Sequence, residues 1–166
     1  MTARVYNLQT GNCTHVLEGH TGIVHGVVCF KMADGAPGGM CVHTERHSNP
    51  RPLHTHTHIP SRSKGVLRTH FESHACSSAS DDKSLRVWHL GTGACLHKLD
   101  GHTGGVIAVA CFTAANGAPA GLSDGTPCGL SGSMDKSLKV WNLLTGTCTH
   151  TLEGHTSGVE TVACFS

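Results

Sequence analysis

Aromatic side chains make up only 4% of the 166 residues. Charge is scarce as well: Asp, Glu, Lys and Arg together reach 14%, and the formal net charge is +1. A balance so close to zero offers no global field with which to gather nucleic acid or an anionic membrane surface. No apolar run approaches the roughly 20 residues that a membrane-spanning helix requires. Met1 leads within a few residues into the strand-like RVYNL. A secretory leader needs a basic stretch followed by an apolar one, so none is expected. The nine cysteines are an odd number and contain no C-x-x-C. That argues against a closed disulfide framework and for free thiols in a reducing, cytoplasmic compartment. None of the 21 glycines falls at phosphate-loop spacing. No cofactor is expected.

What the chain does have is internal repetition. Asp82 to Val106, DKSLRVWHLGTGACLHKLDGHTGGV, returns as Asp135 to Val159, DKSLKVWNLLTGTCTHTLEGHTSGV, with 17 of 25 positions identical and a constant offset of 53 residues. A degraded copy, RVYNLQTGNCTHVLEGHTGIV, spans Arg4 to Val24, offset by 82 from the middle one. Repeats of this kind decide the architecture before any other signal does. The run S-x-S-x-D-K-S-L-(R/K)-V-W, then T-G-x-C, then L-(D/E)-G-H-T resembles the WD40 repeat of β-propellers. The second letter of the name-giving pair departs, being His89 after Trp88, Asn142 after Trp141 and Asn7 after Tyr6.

The resemblance implies an all-β fold, an incomplete propeller of four-stranded antiparallel blades. It divides the chain into a partial repeat over 1–30, a low-complexity insertion over 31–73, a repeat over 74–112, a loop over 113–129 and a repeat over 130–166. Expected strands are 4–8, 12–17, 24–30, 75–80, 84–90, 94–99, 105–112, 129–133, 137–143, 147–152 and 158–165. The Thr10-Gly11, Thr92-Gly93 and Thr145-Gly146 turns join third to fourth strands, glycine supplying the positive φ such hairpins ask for. Residues 31–73, rich in Pro, Ser, Arg and His, carry neither strand nor helix periodicity and are expected to lack regular structure. Loop closure entropy rises slowly with length, so an insertion between the first and second strands of a blade is tolerable.

Cys13, Cys95 and Cys148 share the T-G-x-C position, and Cys29, Cys111 and Cys164 share a C-F position. Such recurrence suggests small buried hydrophobes. Phe30, Phe112 and Phe165 share one repeat position and suggest core.

The resemblance further implies a structural tetrad in each blade. His102, Ser131, Asp135 and Trp141 form one set. His20, Ser78, Asp82 and Trp88 form another, provided the insertion lets His20 reach the rest. No such set is expected for Tyr6, because the copy that carries it has no matching Asp or Ser. The same Ser, His and Asp invite comparison with a hydrolase triad. However, there is no G-x-S-x-G elbow, and a trio that recurs once per blade behaves as a structural device. The chain is therefore expected not to be an enzyme.

A second candidate is the His cluster His54, His56 and His58, with Cys41, His43 and His47 upstream. Alternate residues of an extended chain share a face, so two imidazoles could grip a transition metal. A solvated His-rich loop is the plainer reading, and the weak excess of Lys and Arg in 31–73 is a thin basis for nucleic-acid binding. The function implied by the resemblance is non-catalytic protein–protein interaction. Three blades' worth of repeat is below the usual closing number of about 4–8. The ends, carrying Val5, Leu8, Val16 and Leu17 at one side and Val159, Val162 and Phe165 at the other, are expected to be apolar. They would seek either a copy of the chain or the missing blades of a longer protein.

Overall fold

The computed structural model describes residues 2–7, 10–31, 40–44, 74–114, 122 and 125–164. Every regular element among them is a β-strand. In chain order these are β1 (Thr2–Asn7), β2 (Cys13–Glu18), β3 (Val24–Lys31), β4 (Met40–Thr44), β5 (His74–Ser80), β6 (Leu85–His89), β7 (Cys95–Leu99), β8 (Val106–Thr113), β9 (Pro127–Ser133), β10 (Leu138–Asn142) and β11 (Thr147–Leu152).

They form three antiparallel sheets, ordered β2-β1-β4, β3-β5-β6-β7 and β8-β9-β10-β11. The third sheet takes its strands in sequence order, and the second does so except that β4, between β3 and β5 in sequence, belongs to the first sheet. In each sheet the third-to-fourth strand ladder slips at the same place, between Val5 and Tyr6, Val87 and Trp88, and Val140 and Trp141. The turns that follow hold Gly11, Gly93 and Gly146 at φ of 72°, 73° and 74°. This is the left-handed region where a Cβ is penalised, which is why Thr-Gly recurs there.

The core lies between sheets. Ala3, Val5 and Leu17 of the first sheet pack against Cys76, Trp88 and Leu90 of the second. Ala75, Ala79, Leu85, Val87 and Leu99 of the second meet Val106, Trp141 and Leu143 of the third. Each Trp thus backs onto the preceding sheet. Fully burying one side chain of Leu size stabilises by about 1.5–3 kcal/mol, so these two layers carry most of the apolar driving force.

Four expectations need correction. First, residues 31–73 are not without regular structure throughout. Met40–Thr44 form β4, which pairs antiparallel with β1 in the register Ala3↔Thr44, Arg4↔His43, Val5↔Val42, Tyr6↔Cys41 and Asn7↔Met40. The edge of β1 carries unpaired backbone donors and acceptors, and a short β-branched stretch can satisfy them. β4 thus gives the first sheet a third strand, beside β1. Second, 158–164 is not a strand. It lies beside the third sheet with Val159 buried and Val159 N donating to Ser133 O at 2.9 Å. Among the described residues no second strand stands beside it to complete a ladder. Third, Cys13, Cys95 and Cys148 are exposed, as is Cys29, while Cys111 and Cys164 are half-buried. The T-G-x-C position begins the outermost strand of its sheet. The buried thiols are Cys76 and Cys128, on second strands, and these eight cysteines are free. Fourth, Val5 and Leu17 do not line an open end, because they face the second sheet; Val16 is exposed.

The segment after β8 is pinched at its base, with Ala114 N donating to Thr126 O at 2.8 Å and Gly125 N to Ala114 O at 2.9 Å. Leu8, Phe165 and most of 31–73 lie outside the described residues.

Candidate functional site: two buried hydrogen-bonded chains

The turn between second and third strands is built around a carboxylate. Asp82 N donates to Ser80 Oγ (3.2 Å), and Asp82 Oδ1 accepts from Ser84 N (3.1 Å) and Ser84 Oγ (2.6 Å). The S-x-D-K-S spelling follows: a short hydroxyl on either side wraps the Asp in a local turn. Its other oxygen, Oδ2, accepts from Thr21 N at 3.0 Å and lies 2.7 Å from His20 Nδ1. His20 Nε2 lies 2.7 Å from Ser78 Oγ, and Trp88 Nε1 donates to the same oxygen at 2.9 Å.

The third sheet repeats the arrangement. His102 Nδ1 is 2.8 Å from Asp135 Oδ2, His102 Nε2 is 2.8 Å from Ser131 Oγ, and Trp141 Nε1 donates to Ser131 Oγ at 2.8 Å. Asp135 also accepts from Thr103 N (2.8 Å), Ser137 N (2.9 Å) and Ser137 Oγ (2.6 Å). The insertion between β3 and β5 leaves the His20 set as well formed as the His102 set, because His20 arrives with β3 from the other end of the sheet.

Proton positions follow from the partners. A carboxylate only accepts, so His102 Nδ1 carries the proton and Nε2 accepts from the Ser131 hydroxyl. The chain then runs Trp N–H to Ser O, Ser O–H to His Nε2, and His Nδ1–H to Asp. Burial holds the imidazoles of His20 and His102 below their ordinary pKa, outweighing the pull of Asp82 and Asp135. Burial alone would raise the two carboxyls. The hydrogen bonds from Ser84, His20 and Thr21, and from Ser137, Thr103 and His102, overcome it and hold both well below the usual carboxylate range. Neutral His beside ionised Asp is the protonation state this geometry favours.

The connectivity Ser–His–Asp is also that of a hydrolase triad, and its chemistry differs for two reasons visible here. Ser78 and Ser131 are both 0% exposed. Each hydroxyl oxygen also accepts an indole N–H, a partner that a nucleophilic serine does not need.

One recurring group has no counterpart in the sequence reading. The cysteine of T-G-x-C is followed two residues later by His15, His97 or His150. A Cβ built on Gly93 would lie 3.2 Å from His15 Cγ, and one on Gly146 would lie 2.9 Å from His97 Nδ1. His97 Nε2 is also 2.9 Å from Leu144 O. His15 and His97 therefore each pack on the Thr-Gly turn of the following sheet. Its signal was the same constant offset that revealed the repeats.

Of the metal candidates, Cys41 and His43 stand on β4 in register with Tyr6 and Arg4. His47, His54, His56 and His58 lie outside the described residues. Among the described residues no group of three His, Cys, Asp or Glu is set to hold a metal ion, and no helix is long and apolar enough to cross a membrane.

Comparison with known proteins agrees with the repeats. The WD40 family (WD domain, G-beta repeat) matches residues 93–142 and 146–166. Relatives include coatomer subunit beta'-2 of Arabidopsis thaliana, 36% identical over 94 residues, covering 57% of this chain and 9% of the relative. Nuclear distribution protein PAC1 of Arthroderma otae is 40% identical over 88 residues, covering 52% and 18%. WD repeat-containing protein pop2 of Schizosaccharomyces pombe is 29% identical over 183 residues, covering 97% and 20%. The chain thus spans at most about a fifth of the length of these three relatives. Residues 93–142 and 146–166 thus match WD40 repeats, and the strands, turns and polar chain of the earlier copies follow the same pattern.

Proposed function

We propose that the chain is a non-catalytic platform for binding other proteins, in a reducing, cytoplasmic setting. The observation that carries this reading is the fate of the polar side chains. The groups that could do chemistry, His20, Ser78 and Asp82 and their equivalents His102, Ser131 and Asp135, are spent on one another and on a Trp, twice over. We assign them a structural role, that of tying the turn before the third strand to the entry of the first. What is left at the surface is a set of rigidly held turns. Lys83 and Lys136 are exposed and sit at φ of 69° and 70°. Non-glycine residues are rarely held there, and strain of this kind gathers at functional positions. The WD-repeat relatives support the same reading, one of them being by name a subunit of coatomer.

Two measurements test it. A fluorophosphonate probe should leave Ser78 and Ser131 unlabelled; labelling of either would sink the non-catalytic reading. The full chain and a Lys83→Glu/Lys136→Glu variant are then compared as baits in native lysate. A discrete set of proteins should be retained by the first and lost by the second. Equal retention by both would remove the turns from the proposed surface.

A further inference from the structure

The second sheet holds two thiols side by side where the third holds one. In the β3/β5 ladder Cys29 stands opposite Cys76. In the β8/β9 ladder Cys111, the repeat equivalent of Cys29, stands opposite Gly129. The repeat accounts for Cys29, Cys111 and Cys164, which share one position, but not for Cys76. We propose that Cys29 and Cys76 form an oxidation site for hydroperoxides, in which Cys29 is the attacking thiol and Cys76 closes a reversible cross-strand disulfide.

The pair is within reach. Directly opposed residues of an antiparallel ladder put their side chains on one face, with Cα atoms about 4.5 or 5.5 Å apart. Both spacings lie inside the range that a disulfide spans. The shared face is the one turned toward the first sheet. Cys76 packs there with Ala3, Val5 and Leu17, and Val27, two residues before Cys29, packs against the same cluster.

Access and acidity divide the roles. Cys29 is exposed and Cys76 is fully buried, so an oxidant in solution meets Cys29 first. A hydrogen bond from the Cys76 thiol holds Cys29 below its ordinary range and outweighs partial desolvation. The same bond, with burial, holds Cys76 well above that range. Gly129 offers Cys111 no such donor, and burial pushes that thiol up. The thiolate is the nucleophile in such reactions. The paired position is therefore reactive, and its unpaired equivalent is protected.

The Cys29 thiolate attacks the terminal oxygen of R–O–O–H. An S–O bond forms, the O–O bond breaks, and RO⁻ leaves. It takes up the proton that Cys29 released and becomes the alcohol, or water where R is hydrogen. Cys29 is now a sulfenic acid, and the negative charge that held the Cys76 proton is gone. The Cys76 sulfur then attacks the Cys29 sulfur. The S–S bond forms, the S–O bond breaks, and hydroxide leaves with the Cys76 proton as water. The two thiols have lost two electrons and the peroxide has gained them. A dithiol reductant restores both thiols by exchange.

Cys29 and Cys76 each lie two residues from Lys31 and His74, the last pair of the ladder before the insertion. A bond between them clamps the base of the insertion and closes 29–76 into a covalent loop, which stabilises by restricting the unfolded chain. In a reducing compartment such a bond is transient, formed under oxidant and removed afterwards.

The test uses the full chain, reduced and then freed of reductant. It is treated with hydrogen peroxide, quenched with N-ethylmaleimide and digested without reduction. A Cys29–Cys76 peptide pair is expected from material that runs as a single chain on a non-reducing gel, and dithiothreitol should abolish it. In Cys76→Ala the reaction should stop at a sulfenic acid on Cys29, trapped there by dimedone. Circular dichroism checks that this variant folds, and the wild-type peptide map decides the matter without it. Cys111 should be oxidised at least about tenfold more slowly than Cys29. A map without the Cys29–Cys76 pair, oxidation spread evenly over Cys13, Cys29, Cys95 and Cys148, or Cys111 reacting as fast as Cys29 would each overturn the proposal.

Discussion

Replacing Ser131 by alanine removes one oxygen atom and strands two partners. Trp141 Nε1–H loses its acceptor at 2.8 Å and His102 Nε2 loses its donor at 2.8 Å. The site is fully buried, and a missing hydroxyl leaves less room than a water needs among packed atoms. Each orphaned group costs about 1–3 kcal/mol, so Ser131→Ala should destabilise by roughly 3–4 kcal/mol, although a methylene-sized serine buries almost no apolar area of its own. The origin of that loss can be isolated. In a Trp141→Phe background the indole donor is already gone, and the same Ser131→Ala change should cost about 1–2 kcal/mol less. Urea unfolding of the four members of the cycle, followed by circular dichroism at one fixed protein concentration, measures the coupling; the concentration matters because association adds to apparent stability. An additive cycle, or a Ser131→Ala loss below about 0.5 kcal/mol, would mean that the Trp–Ser–His chain is geometry without energetic consequence.

Three other outcomes follow from the same structure. Ser78→Ala should match Ser131→Ala within about 1 kcal/mol, since the insertion leaves its contacts intact; a much smaller loss in urea unfolding would show that the inserted segment loosens the second sheet. Stability should fall on acidification in two stages. Below about pH 6.5 the unfolded imidazoles take up protons that buried His20 and His102 resist. Below about pH 4 the unfolded carboxyls do the same, while Asp82 and Asp135 stay ionised to lower pH. Asp135→Asn should flatten the second stage, and a urea midpoint that falls as steeply as the wild type's over that range would refute the assignment. Gly104→Ala would bring a Cβ within 2.7 Å of Asp135 N, a backbone atom that cannot step aside; a loss of about 1–3 kcal/mol is expected from such overpacking, and unchanged thermal unfolding would contradict it.

The polar chains were legible because each member is spelled by type and spacing: His20, Ser78, Asp82 and Trp88 recur as His102, Ser131, Asp135 and Trp141. What escaped was whatever depends on a neighbour. The stretch 158–164 has the letters of a strand, yet strand status belongs to a pair, and among the described residues no second strand lies beside it. Met40–Thr44 has modest letters, yet β1 offers it a ladder. Cys13, Cys95 and Cys148 recur faithfully, and recurrence was taken for burial. The recurrence is real but serves the outer strand, where the neighbouring His15 and His97 make the contact with the next sheet. Gly22 and Gly104 show the converse. Both lie under the backbone of the following turn, with a Cβ only 2.5 and 2.7 Å from Asp82 N and Asp135 N. The repeat carries Ser157 at the third such position.

The insertion leaves the second sheet at a telling place. Lys31 pairs with His74 at one end of the β3–β5 ladder, and Val24 pairs with Ser80 at the other, next to Asp82 and His20. The two attachment points of the insertion in the second sheet therefore lie a strand's length away from its carboxylate turn. Added length at Lys31 and His74 leaves the hydrogen bonds of Asp82 and His20 in place, so this edge of the second sheet can gain sequence without loosening the turn that ties its strands together.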